Sequence, residues 1–125
     1  MIHPTTRLLI VSLLAVTAGA CKPGKAAGAD NFMGDARRGT DLVKQYQCGT
    51  CHDIPGVAGA DGNVGPPLQR IGTRTYIAGY IQNSPDNMAA WIEDPQRALP
   101  GNAMPRMGIP QKDARDIAAF LYTLK

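Results

Sequence analysis

The chain has 125 residues, a length that suits one domain and leaves no room for two of ordinary size. Aromatic residues make up 6% of the chain, and the net charge of +3 at pH 7 comes from charges of mixed sign. Because the sequence has neither a block of like charge nor basic residues interleaved with aromatic ones, it excludes a dedicated nucleic-acid-binding protein.

Residues 1–20 have the features of a secretory signal. Arg7 gives a positively charged start, residues 8–16 form a short apolar run, and the small residues 18–20 stand directly before Cys21. The apolar run is shorter than the roughly 20 residues that a membrane span requires. We therefore predict a signal peptide over residues 1–20 and export of the mature chain.

Cys21 stands at the expected cleavage point, and a cysteine after small residues predicts lipid attachment to the new N-terminus. A lipid there would hold the protein at the periplasmic side of the cytoplasmic membrane. Ala18 and Ala20 also suit an ordinary signal peptidase, so a soluble periplasmic form stays open as the alternative. Residues 21–33 are rich in Gly, Ala, Lys and Pro, and they predict a flexible tether.

The next segment, residues 34–47, predicts an amphipathic helix. Charged residues, among them Arg38, fall on the face opposite the apolar one. The apolar face consists of Ala36, Gly39, Leu42, Val43 and Tyr46. The Cys-containing stretch CGTCH follows directly after this helix.

The rest of the chain predicts two further helices separated by loops. Residues 53–67 and 96–109 are punctuated by Gly and Pro, and residues 72–83 look irregular. Ser84 and Pro85 suit the start of one helix, which Pro95 should end, and Pro110 should open the last helix, which runs to Lys125. Its apolar stripe consists of Ala114, Ile117, Ala118, Leu121 and Leu124.

Three chemistries use a Cys-x-x-Cys pair such as that in CGTCH: zinc binding, dithiol exchange and covalent haem attachment. A closed zinc site needs four protein ligands, whereas the predicted mature chain offers Cys48, Cys51 and His52. Dithiol exchange expects a βαβ setting, and no segment predicts a convincing strand. Two cysteines three positions apart, followed directly by a histidine, favour attachment of one haem c with His52 toward the iron.

A haem bound through His52 needs a sixth ligand or leaves an open iron site. A thioether sulfur is a soft ligand that favours reduced iron. Met104 is the strongest candidate, because it lies in LPGNAMPRM, a loop that Pro100 and Pro105 stiffen. Met107 is an alternative ligand. Met88, on an apolar helix face, is expected to be core.

The motifs CGTCH, VGPPL, NAMP and AAFLYTLK resemble the landmarks of class I cytochrome c. The segment from residue 71 to the end of the chain is similar to the cytochrome c domain fused to subunit II of some haem–copper oxidases. The resemblance covers nearly all of residues 34–125 and implies an all-α fold around one covalently bound haem. This chain has no copper-binding domain ahead of the cytochrome region, so the resemblance indicates a free-standing relative.

The family pattern implies a role for each matching residue. Cys48 and Cys51 would form the thioethers, and His52 and Met104 would be the axial ligands of the iron. The Pro66 carbonyl would accept a hydrogen bond from the His52 ring and fix its orientation.

The resemblance also implies roles outside the motif. Gly39 would let the last helix cross closely near Phe120. Arg74 would lie near a haem propionate, although it could equally be a solvated loop charge. Trp91 would lie on the Met104 side of the haem, although it could equally be ordinary core.

Three functions remain open at this stage. An electron carrier between a redox donor and acceptor, with a haem–copper oxidase as a possible acceptor, follows if both axial positions are filled. A fixed cytochrome subunit of a respiratory complex shares the same chemistry. A haem enzyme or gas sensor would need an open iron site, and a peroxidase would need a second histidine that the predicted mature chain lacks.

Overall fold

The computed structural model describes residues 34–125 of the chain. The predicted signal peptide and the predicted tether with Cys21 lie outside the described residues, so both stay predictions. Within residues 34–125, no helix is both long enough and apolar enough to cross a membrane.

Helix α1, Ala36–Gln45, carries the apolar face that the sequence predicts. The side chain of Asp35 caps its first turn by accepting two backbone N–H groups, at 2.9 and 3.2 Å. The helix begins two residues later than predicted because Gly34 has φ +92°, which is incompatible with a helix. The buried residues of α1 are Gly39, Leu42 and Val43.

Helix α4, Gln111–Leu121, crosses α1 at Gly39. A Cβ atom at Gly39 would lie 2.8 Å from Cβ of Phe120, so only glycine permits this approach, and the predicted crossing is confirmed. The helix ends at Leu121 and not at Lys125 as predicted. Its buried apolar stripe includes Ala114, Ile117, Ala118 and Leu121.

A cluster of charged residues also joins α1 to α4. Arg38, which is predicted to lie on the charged face of α1, donates from its guanidinium to Asp113 at 2.5 Å and to Asp116. Asp116 is 4% exposed and also accepts hydrogen bonds from the Asp35 backbone N–H at 2.8 Å and from Lys112 at 3.2 Å. These partners of Arg38 were not predicted, because sequence periodicity around α1 does not show which element packs beside it.

Helix α2, Pro85–Glu93, begins as predicted. Ser84 is its N-cap and accepts a hydrogen bond from the backbone N–H of Asn87 at 3.3 Å, while Pro85 occupies the first helical position. Met88 is 2% exposed, which confirms its assignment to the core.

A short helix α3, Pro95–Ala98, follows at once, where the sequence predicts a loop over residues 96–109. Asp94 ends α2 and caps α3, since its side chain accepts the backbone N–H of Arg97 at 3.0 Å. Pro95 therefore ends one helix, as predicted, and also opens another, because proline is suited to a first helical position.

The segment over residues 72–83, predicted as irregular, contains a small antiparallel hairpin. Its strands are β1, Tyr76–Ile77, and β2, Ile81–Gln82. Ala78 and Gly79 make the turn with φ values of 50° and 79°. Strands of two residues are too short for period-two alternation to reveal them. The fold remains all-α around this ribbon, with α4 packed against both α1 and α2.

Candidate functional site

The motif CGTCH forms one tight turn at the end of α1. A 3-10 turn spans Cys48–Thr50, and the backbone N–H groups of Cys51 and His52 both donate to the carbonyl oxygen of Cys48, at 3.2 and 3.0 Å. Both cysteines are free thiols of intermediate exposure. The turn therefore brings two thiols and an imidazole together on a few residues of backbone.

The His52 ring is oriented by the segment that follows the motif. Its Nδ1 atom lies 2.8 Å from the carbonyl oxygen of Pro66, the contact that the family resemblance implies. Because a carbonyl oxygen can only accept, Nδ1 carries the proton in this contact, and the lone pair of Nε2 is left for a metal. The imidazole is thus held in the tautomer that a ligand requires.

Gly65 fixes the position of the same ring. A Cβ atom at Gly65 would lie 2.7 Å from Nδ1 and 2.9 Å from Nε2 of His52, so a side chain there would displace the imidazole. Gly65 was not predicted from the sequence. Its position directly before the two prolines of VGPPL is the signal that could have suggested a close approach of backbone to ring.

Hydrogen bonds hold the Gly- and Pro-rich loop of residues 53–67 against the motif. The backbone N–H of Gly65 donates to the Cys51 carbonyl at 2.7 Å, and that of Gly62 donates to the Gly49 carbonyl at 3.0 Å. A Cβ atom at Gly62 would lie 2.5 Å from the Thr50 carbonyl carbon. These glycines therefore allow the loop to lie directly on the turn that carries the cysteines.

Met104 lies on a separate loop that follows α3. Its backbone N–H donates to Oδ1 of Asn102 at 2.7 Å, and its carbonyl oxygen accepts from Nε2 of Gln96 at 2.9 Å. Met104 is half-buried, whereas Met107 is 43% exposed. Neither amide side chain was predicted from the sequence, because both act through contacts that form only when α3 and the loop fold together.

Arg74 contacts the loop next to His52. Its guanidinium donates to the carbonyl oxygens of Pro67 at 2.6 Å and Gln69 at 2.9 Å. Asn83, which was not predicted from the sequence either, donates to the Arg74 carbonyl at 2.8 Å. Arg74 is thus more than a solvated loop charge, and its role beside a propionate stays a prediction.

Trp91 is half-buried on α2 and packs against the hydrophobic core. Its packing agrees with the simpler of the two interpretations, ordinary core. The predicted position of Trp91 on the Met104 side of a haem is not tested by these contacts and stays a prediction.

The donor set fits a haem better than zinc or dithiol exchange. Within residues 34–125, no three His, Cys, Asp or Glu side chains are grouped so that they could hold a metal ion by themselves. Burial raises the pKa of the Cys48 thiol, whereas reactive exchange cysteines have a lowered pKa. Two free thiols beside an oriented imidazole match the covalent and axial attachments that one haem c needs.

Comparison with known proteins points the same way. The sequence model of the family described as "Cytochrome c" matches residues 36–125. The chain is 31% identical over 104 residues to "Cytochrome c" of Arabidopsis thaliana, an alignment that covers 73% of this chain and 90% of that protein.

Two bacterial oxidase subunits are also similar to the chain. It is 35% identical over 91 residues to "Cytochrome c oxidase subunit 2" of Alkalihalophilus pseudofirmus, covering 72% of this chain and 26% of that protein. It is 35% identical over 71 residues to the protein of the same name in Bacillus subtilis, covering 55% of this chain and 20% of that protein. The chain therefore spans about a quarter or less of the length of these curated relatives.

Proposed function

Because the chain belongs to the cytochrome c family of electron-transfer proteins with covalently attached haem, we propose that it is an exported one-electron carrier with His/Met axial ligation. Cys48 and Cys51 are the two cysteines that bind haem c. His52 and Met104 supply the axial ligands in this proposal. The observation that carries it is the contact between His52 Nδ1 and the Pro66 carbonyl, because it leaves the lone pair of Nε2 free to bind iron.

The chain's residues have separate tasks in this function. When bound, haem supplies a one-electron couple between ferric and ferrous iron. The turn of Cys48 and Cys51 would hold the cofactor to the backbone, and His52 would bind iron through Nε2 while Pro66 keeps its ring in place. The Met104 sulfur, a soft ligand, would be the second ligand and would favour the reduced state. With His52 and Met104 both bound, no site on the iron would remain for a substrate.

The ligand assignment is tested by the absorption spectrum of the haem-loaded ferric protein. We expect a weak methionine–iron charge-transfer band at the red end of the visible spectrum. Met104→Ala should abolish this band and lower the reduction potential, because loss of the thioether destabilises ferrous iron. Met107→Ala is the matched control, three residues along the same loop, and it should leave the band intact. The reverse outcome would move the ligand to Met107.

A wild-type spectrum without the band would favour the alternative of an open iron site, as in a haem enzyme or gas sensor. The covalent attachment has its own test. In acid acetone the colour should stay with the precipitated protein, and colour in the solvent would contradict thioether bonds to Cys48 and Cys51.

The acceptor we propose is a haem–copper oxidase, and the location is the periplasmic side of the cytoplasmic membrane. The similarity to two proteins named "Cytochrome c oxidase subunit 2" supports this pairing. A fixed subunit of a respiratory complex is the second candidate, and the same similarity favours it. Purification from mild detergent distinguishes the two: a carrier should separate from the oxidase at moderate salt, whereas a fixed subunit should remain with it.

A further inference from the structure

We propose that Gln96 is a positioning residue for the sulfur of Met104, with its amide holding the ligand loop against helix α3. This inference rests on the proposed ligation of iron by Met104. It assigns to the four-residue helix α3 the function of supporting one axial ligand.

The Gln96 amide spans the loop. Its Nε2 atom donates to the carbonyl oxygens of Asn102 and Met104, both at 2.9 Å, and its Oε1 atom accepts the backbone N–H of Gly101 at 3.2 Å. A glutamine amide has two N–H donors, so both are used on backbone oxygens of the loop. One side chain on α3 therefore fixes three loop residues, including the proposed ligand.

Asn102 completes the same arrangement from within the loop. Its Nδ2 atom donates to the carbonyl oxygens of Pro95 at 2.8 Å and Leu99 at 2.7 Å, while its Oδ1 atom accepts the Met104 backbone N–H at 2.7 Å. The backbone of Met104 is consequently held on both sides, by Asn102 at its nitrogen and by Gln96 at its oxygen.

An ion pair fixes the far end of the loop. Arg106 lies 2.7 Å from the carboxylate of Asp94, the residue that caps α3, and the Asp94 side chain is 15% exposed. The loop is therefore attached to the α2–α3 junction after Met104 as well as before it. Met107, one residue beyond Arg106, is 43% exposed and has no amide of this kind on its backbone in the part of the chain that the structure describes.

These hydrogen bonds should reduce the fraction of molecules in which the Met104 sulfur is detached from the iron. Moving the Met104 backbone away from α3 requires breaking the partly buried hydrogen bonds that Gln96 and Asn102 make to it. An added ligand such as imidazole can bind only the molecules in which Met104 is detached, so its apparent affinity reports the size of that population. Weakening the Gln96 contacts should enlarge the population and tighten imidazole binding.

The test compares haem-loaded variants of the full chain by imidazole titration of the ferric protein. Gln96→Ala removes the amide, and Gln96→Glu keeps the side-chain length but removes both N–H donors. We expect imidazole to bind about 10- to 100-fold more tightly to either variant, since each lost hydrogen bond changes an equilibrium constant several-fold. The charge-transfer band should weaken and the reduction potential should fall in the same variants.

Two controls separate positioning from general destabilisation. Arg97→Ala alters the neighbouring α3 side chain, which is 64% exposed and pairs with Glu93, and it should leave imidazole affinity unchanged. Arg38→Gln weakens the ion pairs between α1 and α4 and should lower thermal stability without tightening imidazole binding. If Arg38→Gln tightens binding as much as Gln96→Glu, the effect is one of global stability and the proposal for Gln96 is wrong.

The outcomes distinguish this inference from the proposed function. A wild-type protein that lacks the charge-transfer band, or keeps it in Met104→Ala, would overturn the ligation and the inference together. The other outcome affects Gln96 alone. If the band depends on Met104 but both Gln96 variants keep the wild-type imidazole affinity and reduction potential, the positioning role of Gln96 is wrong and the ligation by Met104 stands.

Discussion

The ring of His52 lies directly against the backbone of Gly65, where an added Cβ atom would come within 2.7 Å of Nδ1. The same imidazole is 2.8 Å from the carbonyl oxygen of the next residue, Pro66. The hydrogen bond from His52 to Pro66 therefore depends on Gly65, because a side chain at residue 65 would occupy the space that the ring needs to reach the Pro66 carbonyl.

Gly65→Ala should displace the imidazole and weaken its hydrogen bond to Pro66. We expect the free energy of unfolding of the haem-loaded protein to fall by about 1–3 kcal/mol, the usual cost of an inserted methyl in a packed site. The reduction potential should shift as well, because the orientation of an axial histidine tunes the iron.

Denaturant unfolding and a redox titration measure the two effects. Val64→Ala is the control, because Val64 precedes Gly65 and is 82% exposed. If Gly65→Ala and Val64→Ala have equal stability and equal reduction potential, the His52 ring does not need the space that the absent side chain of Gly65 leaves.

Asp116→Asn tests the buried charge between α1 and α4. Burial alone would raise the pKa of Asp116, but the Asp35 backbone N–H and the Arg38 and Lys112 side chains outweigh it, so that this pKa lies below its ordinary value of 3.8. A lowered pKa in the folded state means that the carboxylate stabilises the fold above the unfolded pKa. That contribution is lost as the pH falls from about 4 through the folded pKa.

We therefore expect Asp116→Asn to lower the free energy of unfolding by about 2 kcal/mol near pH 7, typical of lost hydrogen bonds to a charged group. The difference from wild type should shrink as the pH approaches 3, roughly the range in which carboxylates protonate. Asp41→Asn, at an exposed position of helix α1, should show no such difference. If the difference in free energy of unfolding between wild type and Asp116→Asn stays constant or widens in acid, the pKa of Asp116 is not lowered in the folded protein.

The parts of the fold that depend on local sequence were predictable. Ser84 and Pro85 suit a helix start because a hydroxyl cap and a fixed φ act within one turn. The crossing at Gly39 was implied by the family resemblance and not by local sequence. The partners of Arg38 could not be predicted, because Asp113 and Asp116 are more than seventy positions away.

In the candidate site, too, the residues that depend on local sequence were predictable and those that depend on distant contacts were not. The cysteines and His52 follow from their spacing, since one turn of backbone must hold all three. Gln96 and Asn102 could not be predicted, because an amide in a Pro- and Gly-rich segment has no periodic pattern and its value depends on which carbonyls surround it. Helix α3 was not predicted because a proline such as Pro95 can mark either the end of one helix or the first position of the next.

Ala78→Gly should stabilise the hairpin turn. Ala78 has φ 50°, a left-handed conformation that costs a residue with a Cβ atom roughly 1–2 kcal/mol. Glycine removes that strain but loses more backbone entropy on folding, about 0.5–1 kcal/mol. The net gain in the free energy of unfolding should be about 0.5–1 kcal/mol, the difference between these costs.

Chemical denaturation of the haem-loaded protein gives the measurement. Ala58→Gly is the control, since Ala58 is an exposed loop residue without a positive φ, and there glycine should lower stability slightly. If Ala78→Gly is destabilising by as much as Ala58→Gly, the left-handed turn carries no strain that glycine can relieve.

Cys21→Ser tests the predicted lipid anchor. Cys21 follows small residues at the expected signal cleavage point, and the preceding apolar run is too short to serve as an anchor by itself. One acyl chain binds membranes only marginally, whereas two or more hold a protein firmly. Attachment through the predicted tether of residues 21–33 would raise the concentration of the haem domain near membrane enzymes, which benefits an electron carrier.

In the expressing bacterium, the wild-type protein should sediment with membranes and carry an N-terminal mass increase of acyl chains, while Cys21→Ser should be released with the periplasmic fraction. The lipid anchor is supported only if the mass increase is found and sedimentation depends on Cys21. Sedimentation alone would also follow from tight docking to a membrane complex. High salt separates these causes, since it weakens electrostatic docking but not acyl insertion. Wild-type protein that is already periplasmic, with an unmodified N-terminus, would instead establish ordinary signal peptidase cleavage and a freely diffusing carrier.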